Sequence, residues 1–174
     1  MKFLFVALSA CLLLGAPGHL IAQTVDCSKG FIIDETVDEI LDETANYCLI
    51  SRVTVRGNLT LRNHLDVIVR NSRVEGNILI TDSHDVALFN NKIIDGNVSV
   101  LRARASYIQE NVIERTGKAL FLAVKGTLDG GEGLVVDNLL GEGTINCVTD
   151  EGDLDDRVFA QDNVASNIQC IGQL

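Results

Sequence analysis

Between residues 57 and 100, short apolar runs alternate with polar ones in a pattern that repeats. Gly57-Asn58-Leu59-Thr60-Leu61, Gly76-Asn77-Ile78-Leu79-Ile80 and Gly96-Asn97-Val98-Ser99-Val100 recur at steps of 19 and 20 residues, and Gly117-Lys118-Ala119-Leu120-Phe121 follows 21 later. In each of the first three units two apolar residues flank one outward position, the period-two signature of a short strand. Ten residues past each glycine comes a second run, Val67-Ile68-Val69, Val86-Ala87-Leu88 and Ser106-Tyr107-Ile108, and a third ends at Val55, Val74 and Ile94. Three strands per unit of roughly 20 residues make one coil of a parallel β-helix. Each coil lies roughly 4.8 Å above the last, so equivalent residues stack into columns around a continuous aliphatic core. The pattern predicts an all-β, right-handed parallel β-helix (solenoid) of about six or seven coils of roughly 20 residues.

The polar positions read as corners. Asn58, Asn77 and Asn97 form one column, and Asn71, Asn91 and Asn111 suggest a second once one-residue slips are allowed. Asparagine tolerates left-handed backbone, and a stacked ladder lets its amide bond the turns above and below. Arg56, Glu75 and Asp95, each just before a glycine, put unlike charges on adjacent coils. An open sheet edge at either end recruits other chains unless covered. At the N-terminal end, residues 26–48 read as an irregular first coil, although Val37, Ile40 and Leu41 also fit an amphipathic capping helix. Gly-Gly-Glu-Gly and Gly-Glu-Gly breaks between residues 126 and 143 predict less regular coils there.

The ends of the chain place this helix in a compartment. Residues 1–22 carry one lysine and an apolar run ending in small residues, which reads as a secretory signal peptide, leaving residues 23–174 as the β-helix domain. A minor alternative is lipid anchoring at Cys11, within Leu8-Ser9-Ala10-Cys11. No later stretch is long and apolar enough for a transmembrane segment. The other four cysteines, Cys27, Cys48, Cys147 and Cys170, are even in number, as expected of a secreted or extracellular chain with two disulfides. Separations of 21 and 23 residues match one coil each, so Cys27–Cys48 and Cys147–Cys170 would clip the first and last coils. The net charge is −10, and −11 once Lys2 leaves with the leader; such a surface repels nucleic acid and suits cations or basic partners.

The leader, the coil closed by Cys48, the Gly-Asn-apolar-x-apolar units and the ending Asn167-Ile168-Gln169-Cys170-Ile171-Gly172 together resemble the small secreted bacterial right-handed parallel β-helix repeat proteins, which share the pectate-lyase-like fold. The resemblance covers nearly all of Cys27 to Gly172 and implies the fold. It carries no catalytic signature, and most such proteins have no assigned activity.

Stacking the repeats by their glycines puts Asn63, Asp82 and Arg102 in one column, Leu65, His84 and Arg104 in the next, and Asp66 beside Asp85. His64 falls one column away from His84. Carboxylates on neighbouring coils suit Ca²⁺, the one cofactor the residues suggest, and a nearby arginine could act on the proton alpha to a uronate carboxylate. Asp66, Asp82, His84, Asp85, Arg102 and Arg104 are therefore the candidates for catalysis. Set against them, aspartates before strands cap free backbone amides, and the period hardly varies where a lyase would insert loops. Asp150, Asp153, Asp155 and Asp156 make a weak metal candidate that misses the EF-hand pattern. Asn58 and Asn97 are N-glycosylation sequons standing in the asparagine column. The chain lacks Trp, Gly-x-Ser-x-Gly and a Walker loop; Phe89 and Tyr107 face outward on adjacent coils as a small patch. The expected function is a non-enzymatic structural or binding role toward an extracellular or cell-surface component, carbohydrate among them, or another copy of the chain. The alternative is a polyuronate lyase or epimerase.

Overall fold

The computed structural model describes residues 23–43, 46–114, 121–125, 132–141, 143–148, 153 and 156–170. The leader with Cys11, residues 117–120, and Asp150 and Asp155 lie outside the described residues. All regular structure in the described residues is β, wound as a parallel solenoid of about six turns. Each full turn contributes one strand to each of three sheets, of eight, seven and five strands, and every pairing is to the turn before or after. One complete turn runs through Leu59–Arg62, Asp66–Arg70 and Arg73–Val74 before the next begins at Ile78–Thr81.

The register follows the repeat. Leu59, Ile78 and Val98 stack, as do Val67, Val86 and Ser106. Of these, the valines, leucine and isoleucine belong to one contiguous core with Ile50, Val69, Leu88, Ile108 and Val135. The repeating glycine has a steric cause. A Cβ at Gly96 would sit 1.8 Å from the carbonyl oxygen of Gly76, and one at Gly76 would sit 2.6 Å from that of Gly57. The carbonyl of the turn below occupies the side-chain position, so only glycine fits.

Three expected equivalences shift. Val74 pairs with Ile93, not Ile94, because the 20-residue repeat carries its extra residue at that corner, where Asp95 takes a left-handed φ of 55°. The same slip separates Asp95 from the charge column: Arg56 reaches Asp38 at 3.6 Å, and Glu75 pairs within its own turn with Arg73 at 2.8 Å. In the fourth repeat Val98 pairs with Leu122 and Val100 with Val124, three residues further on than the glycine spacing suggests. The strand is Phe121–Lys125, a continuous run of four apolar residues closed by a lysine.

The second asparagine column is also re-registered. Asn71 is exposed, has φ 50°, and accepts a 2.8 Å bond from Asn90. The buried ladder runs Ser72, Asn91, Asn111, Asn138 and Asn163. Each backbone N–H from Ser72 to Asn138 donates 3.0 Å to the Oδ1 of the residue above, and Val53 N–H donates to Ser72 Oγ at its foot. The amide nitrogen of Asn111 also donates to Leu88 O, Gln109 O and Asn138 Oδ1. The serine hydroxyl that opens the column accepts from Val53 and itself donates to Arg70 O at 2.9 Å.

At the N-terminal end the first coil is strand, not helix. Val37 and Ile40 point inward while Leu41 is 46% exposed. Asp42 occupies a core column beneath Leu61, buried, and its Oδ2 accepts the Cys27 N–H at 2.6 Å. Disulfides Cys27–Cys48 and Cys147–Cys170 join adjacent turns, with Cα separations of 5.5 and 4.9 Å. Closing loops of this length stabilises by about 3 kcal/mol each.

The two asparagine columns differ in what they satisfy, and that is measurable. Asn111→Leu strands the buried Asn91 N–H and breaks the bonds to Leu88 O and Asn138, so it should cost about 3 kcal/mol in a denaturant melt. Asn90→Gly removes one exposed bond while keeping the left-handed φ of 49° accessible, and should cost less than about 1 kcal/mol.

Candidate functional site

The corner between the eight- and seven-stranded sheets holds the residues singled out for chemistry. Asn63, Asp82 and Arg102 stack there as expected, all left-handed with φ of 59°, 55° and 51°. Arg102 donates from Nε and Nη2 to the two carboxylate oxygens of Asp82, at 2.6 and 2.7 Å. That fork holds the Asp82 carboxyl below its ordinary range, against the opposing effect of burial, with Thr81 and Arg62 adding to the depression. Asp34 and Arg52 repeat the arrangement at another corner, with φ of 58° and 55° and the same two distances. A left-handed aspartate braced by a left-handed arginine one turn above is therefore a recurring corner device. Its signal was Asp and Arg 18 to 20 residues apart beside strand ends.

The remaining candidates separate. His84 and Arg104 are exposed and stack, and the His84 carbonyl accepts the Arg104 N–H at 2.9 Å. Asp66 and Asp85 are in register at the start of the seven-stranded sheet, one half-buried and one exposed. His64 is buried in the column of Ser83, with Nδ1 2.9 Å from Asn46 O and Nε2 without a partner among the described residues. The two histidines thus never share a surface. Among the described residues no three His, Cys, Asp or Glu side chains converge as for a metal. Asp153 and Asp156 are exposed. Asn58 and Asn97 stand in the Gly-Asn ladder, where Asn58 Oδ1 accepts from Asn77 and Asn77 Oδ1 accepts the Asn97 N–H.

A feature absent from the corner arguments dominates the neighbouring face. The central outward positions of all seven strands of the seven-stranded sheet are apolar and in register: Phe31, Leu49, Ile68, Ala87, Tyr107, Leu134 and Phe159. Phe31, Tyr107, Leu134 and Phe159 are 39–55% exposed. The column runs roughly 29 Å, six rung spacings, along the solenoid. The expected patch of Phe89 and Tyr107 is one edge of it, with Phe89 in the adjoining column beside Arg70. On the other side lie Asp66, Asp85 and Glu132, and Glu132 raises the Tyr107 phenol pKa by charge proximity, helped by burial and a 3.3 Å hydrogen bond. The signal was present at period two in each strand, but fixing the column required the register of the irregular end coils.

The chain matches no family model, no curated protein and no solved structure.

Because the folded Asp82 carboxyl lies below its ordinary value of 3.8, its contribution is complete above about pH 4 and fades as pH falls through the depressed value. Both partners are more than one-third exposed, so Asp82→Asn should cost less than about 1 kcal/mol near neutrality. The gap in melting temperature between wild type and variant should shrink as pH falls below about 4 and vanish once the depressed pKa is passed.

Proposed function

We propose that this chain is an exported, non-enzymatic scaffold that docks through the outer face of its seven-stranded sheet. The observation that carries the reading is the unbroken outward apolar column from Phe31 to Phe159, exposed at Phe31, Tyr107, Leu134 and Phe159 and half-buried at Leu49, Ile68 and Ala87, on an otherwise acidic chain. Exposed hydrophobics scattered singly need no explanation; seven in register form an interaction surface. Two disulfides support an oxidising destination.

The occupant this face suits is a second copy. A two-fold axis parallel to the solenoid, through the apolar column, sets each carboxylate column against the partner column on the far side. It brings Asp66 of one copy opposite Arg70 of the other, reciprocally, since the two flank Ile68 on one strand. Among the described residues the Arg70 side chain bonds only the Ser51 hydroxyl, at 3.3 Å. The flat footprint is roughly 400 Å² per copy, below that of a standard interface, which implies reversible pairing rather than an obligate dimer.

The polyuronate lyase reading has one supporting observation, the in-register Asp66 and Asp85. Against it, Asp82 and Arg102 already satisfy each other through the fork.

Sedimentation over the micromolar to millimolar range should show a reversible dimer. Ile68→Lys with Leu134→Lys should abolish it, Asp66→Arg should weaken it, and adding Arg70→Asp should restore it. A strict monomer at every concentration overturns the docking proposal. Incubation with pectate, alginate and glycosaminoglycans in Ca²⁺ should yield no unsaturated uronate; product that disappears in Asp82→Ala would establish the lyase instead.

A further inference from the structure

A second surface lies around the corner, between the seven- and five-stranded sheets. A groove of about 600 Å³ runs there along the solenoid, within the size range of small-molecule clefts. Arg52, Asn71 and Asn90 border it from the corner column, and Thr54, Arg73 and Lys92 from the five-stranded sheet. Three cations face one lining carboxylate, Glu114, on a chain of net charge −10. This is a local reversal of sign.

The hydrogen bonds show how these cations are presented. Arg52 uses Nε and Nη2 on Asp34, and Arg73 uses Nε on Glu75. Neither carboxylate lines the groove. Both guanidinium groups are thus braced along one edge, and among the described residues Nη1 of Arg52 and both Nη of Arg73 make no hydrogen bond. Lys92 Nζ meets Glu114 at 2.9 Å and retains further donor capacity. Asn90 donates to Asn71 Oδ1 at 2.8 Å, a bond that leaves the Asn71 amide nitrogen with donor capacity and the Asn90 oxygen as an acceptor. The groove is rich in donors and short of acceptors, and Val112 adds an apolar side. Braced guanidinium edges with ammonium and amide donors suit oxyanions.

The corner column also limits ligand length. In order it reads Asp34, Arg52, Asn71, Asn90, Glu110, Asp137 and Asp162, each left-handed. Acidic residues therefore close the basic stretch at both ends. Arg52, Arg73 and Lys92 occupy three successive turns, a span of roughly 10 Å. A long polyanion extended along the axis would run onto Glu110 and Asp137, whereas a compact one would not.

We infer that this groove binds a compact organic polyanion, a molecule with two or three carboxylate or phosphate groups within about three turns of the solenoid. The site is independent of the apolar face and of any pairing across it.

Citrate, inorganic phosphate, acetate and poly-glutamate, titrated calorimetrically into the full disulfide-bonded chain, test the inference. Citrate should bind at one site at low ionic strength and weaken at least tenfold in high salt. Acetate should be at least tenfold weaker than citrate, and poly-glutamate should not compete. Comparing citrate with phosphate distinguishes a carboxylate ligand from a phosphate one. Arg73→Gln with Lys92→Gln should reduce citrate affinity at least tenfold without changing the melting temperature by more than a few degrees. Arg104→Gln, which removes the same charge elsewhere, should leave affinity unchanged. Absence of citrate or phosphate binding, equal affinity in the double variant, or equal loss in Arg104→Gln would overturn the assignment.

Discussion

Everything in this molecule depends on hydrogen bonding between one turn and the next in parallel register. A rung spacing of roughly 4.8 Å places each residue directly above its equivalent, so a side chain's environment is set mainly by its counterparts one turn away. Aliphatic columns follow wherever the equivalents are inward. Gly57, Gly76 and Gly96 follow where the carbonyl beneath fills the space of a Cβ. One buried polar column satisfies itself from turn to turn, through Ser72, Asn91, Asn111, Asn138 and Asn163.

The same stacking explains how left-handed corners are tolerated. Residues with side chains at positive φ are disfavoured, yet Asp34 with Arg52 and Asp82 with Arg102 occupy such corners as forked pairs. Each pair is exposed and individually weak, but its geometry fixes two adjacent corners at once. The residues with the strongest resemblance to catalytic machinery therefore share their arrangement with a corner remote from them. Chemistry on such a scaffold is laid out in lines parallel to the axis. Both surfaces considered for binding, the apolar face and the donor-rich groove, have that form.

The repeating part of the fold was legible because its period is strict. Residues 57–114 declare strand faces, inward columns and the adjacency of Asp66 to Asp85 by spacing alone. The slips were not legible. A single inserted residue at Asp95 moves Ile93 into the place expected for Ile94, and the longer fourth repeat shifts its strand by three residues. Counting from glycines cannot tell which corner absorbs an insertion, since that depends on which residue can adopt a left-handed backbone while the core columns stay filled.

The sequence by itself determined the class of architecture and the approximate number of turns, because those follow from periodicity; it spaced the cysteines one coil apart, and the structure pairs Cys27 with Cys48 and Cys147 with Cys170. Only the tertiary structure decided that His64 is buried away from His84, that Asn71 is exposed while Ser72 begins the buried ladder, and that Phe31 and Phe159 belong to one apolar column. Those outcomes turn on register between coils. A shift of one residue reverses which face a side chain points to, and no local pattern measures it.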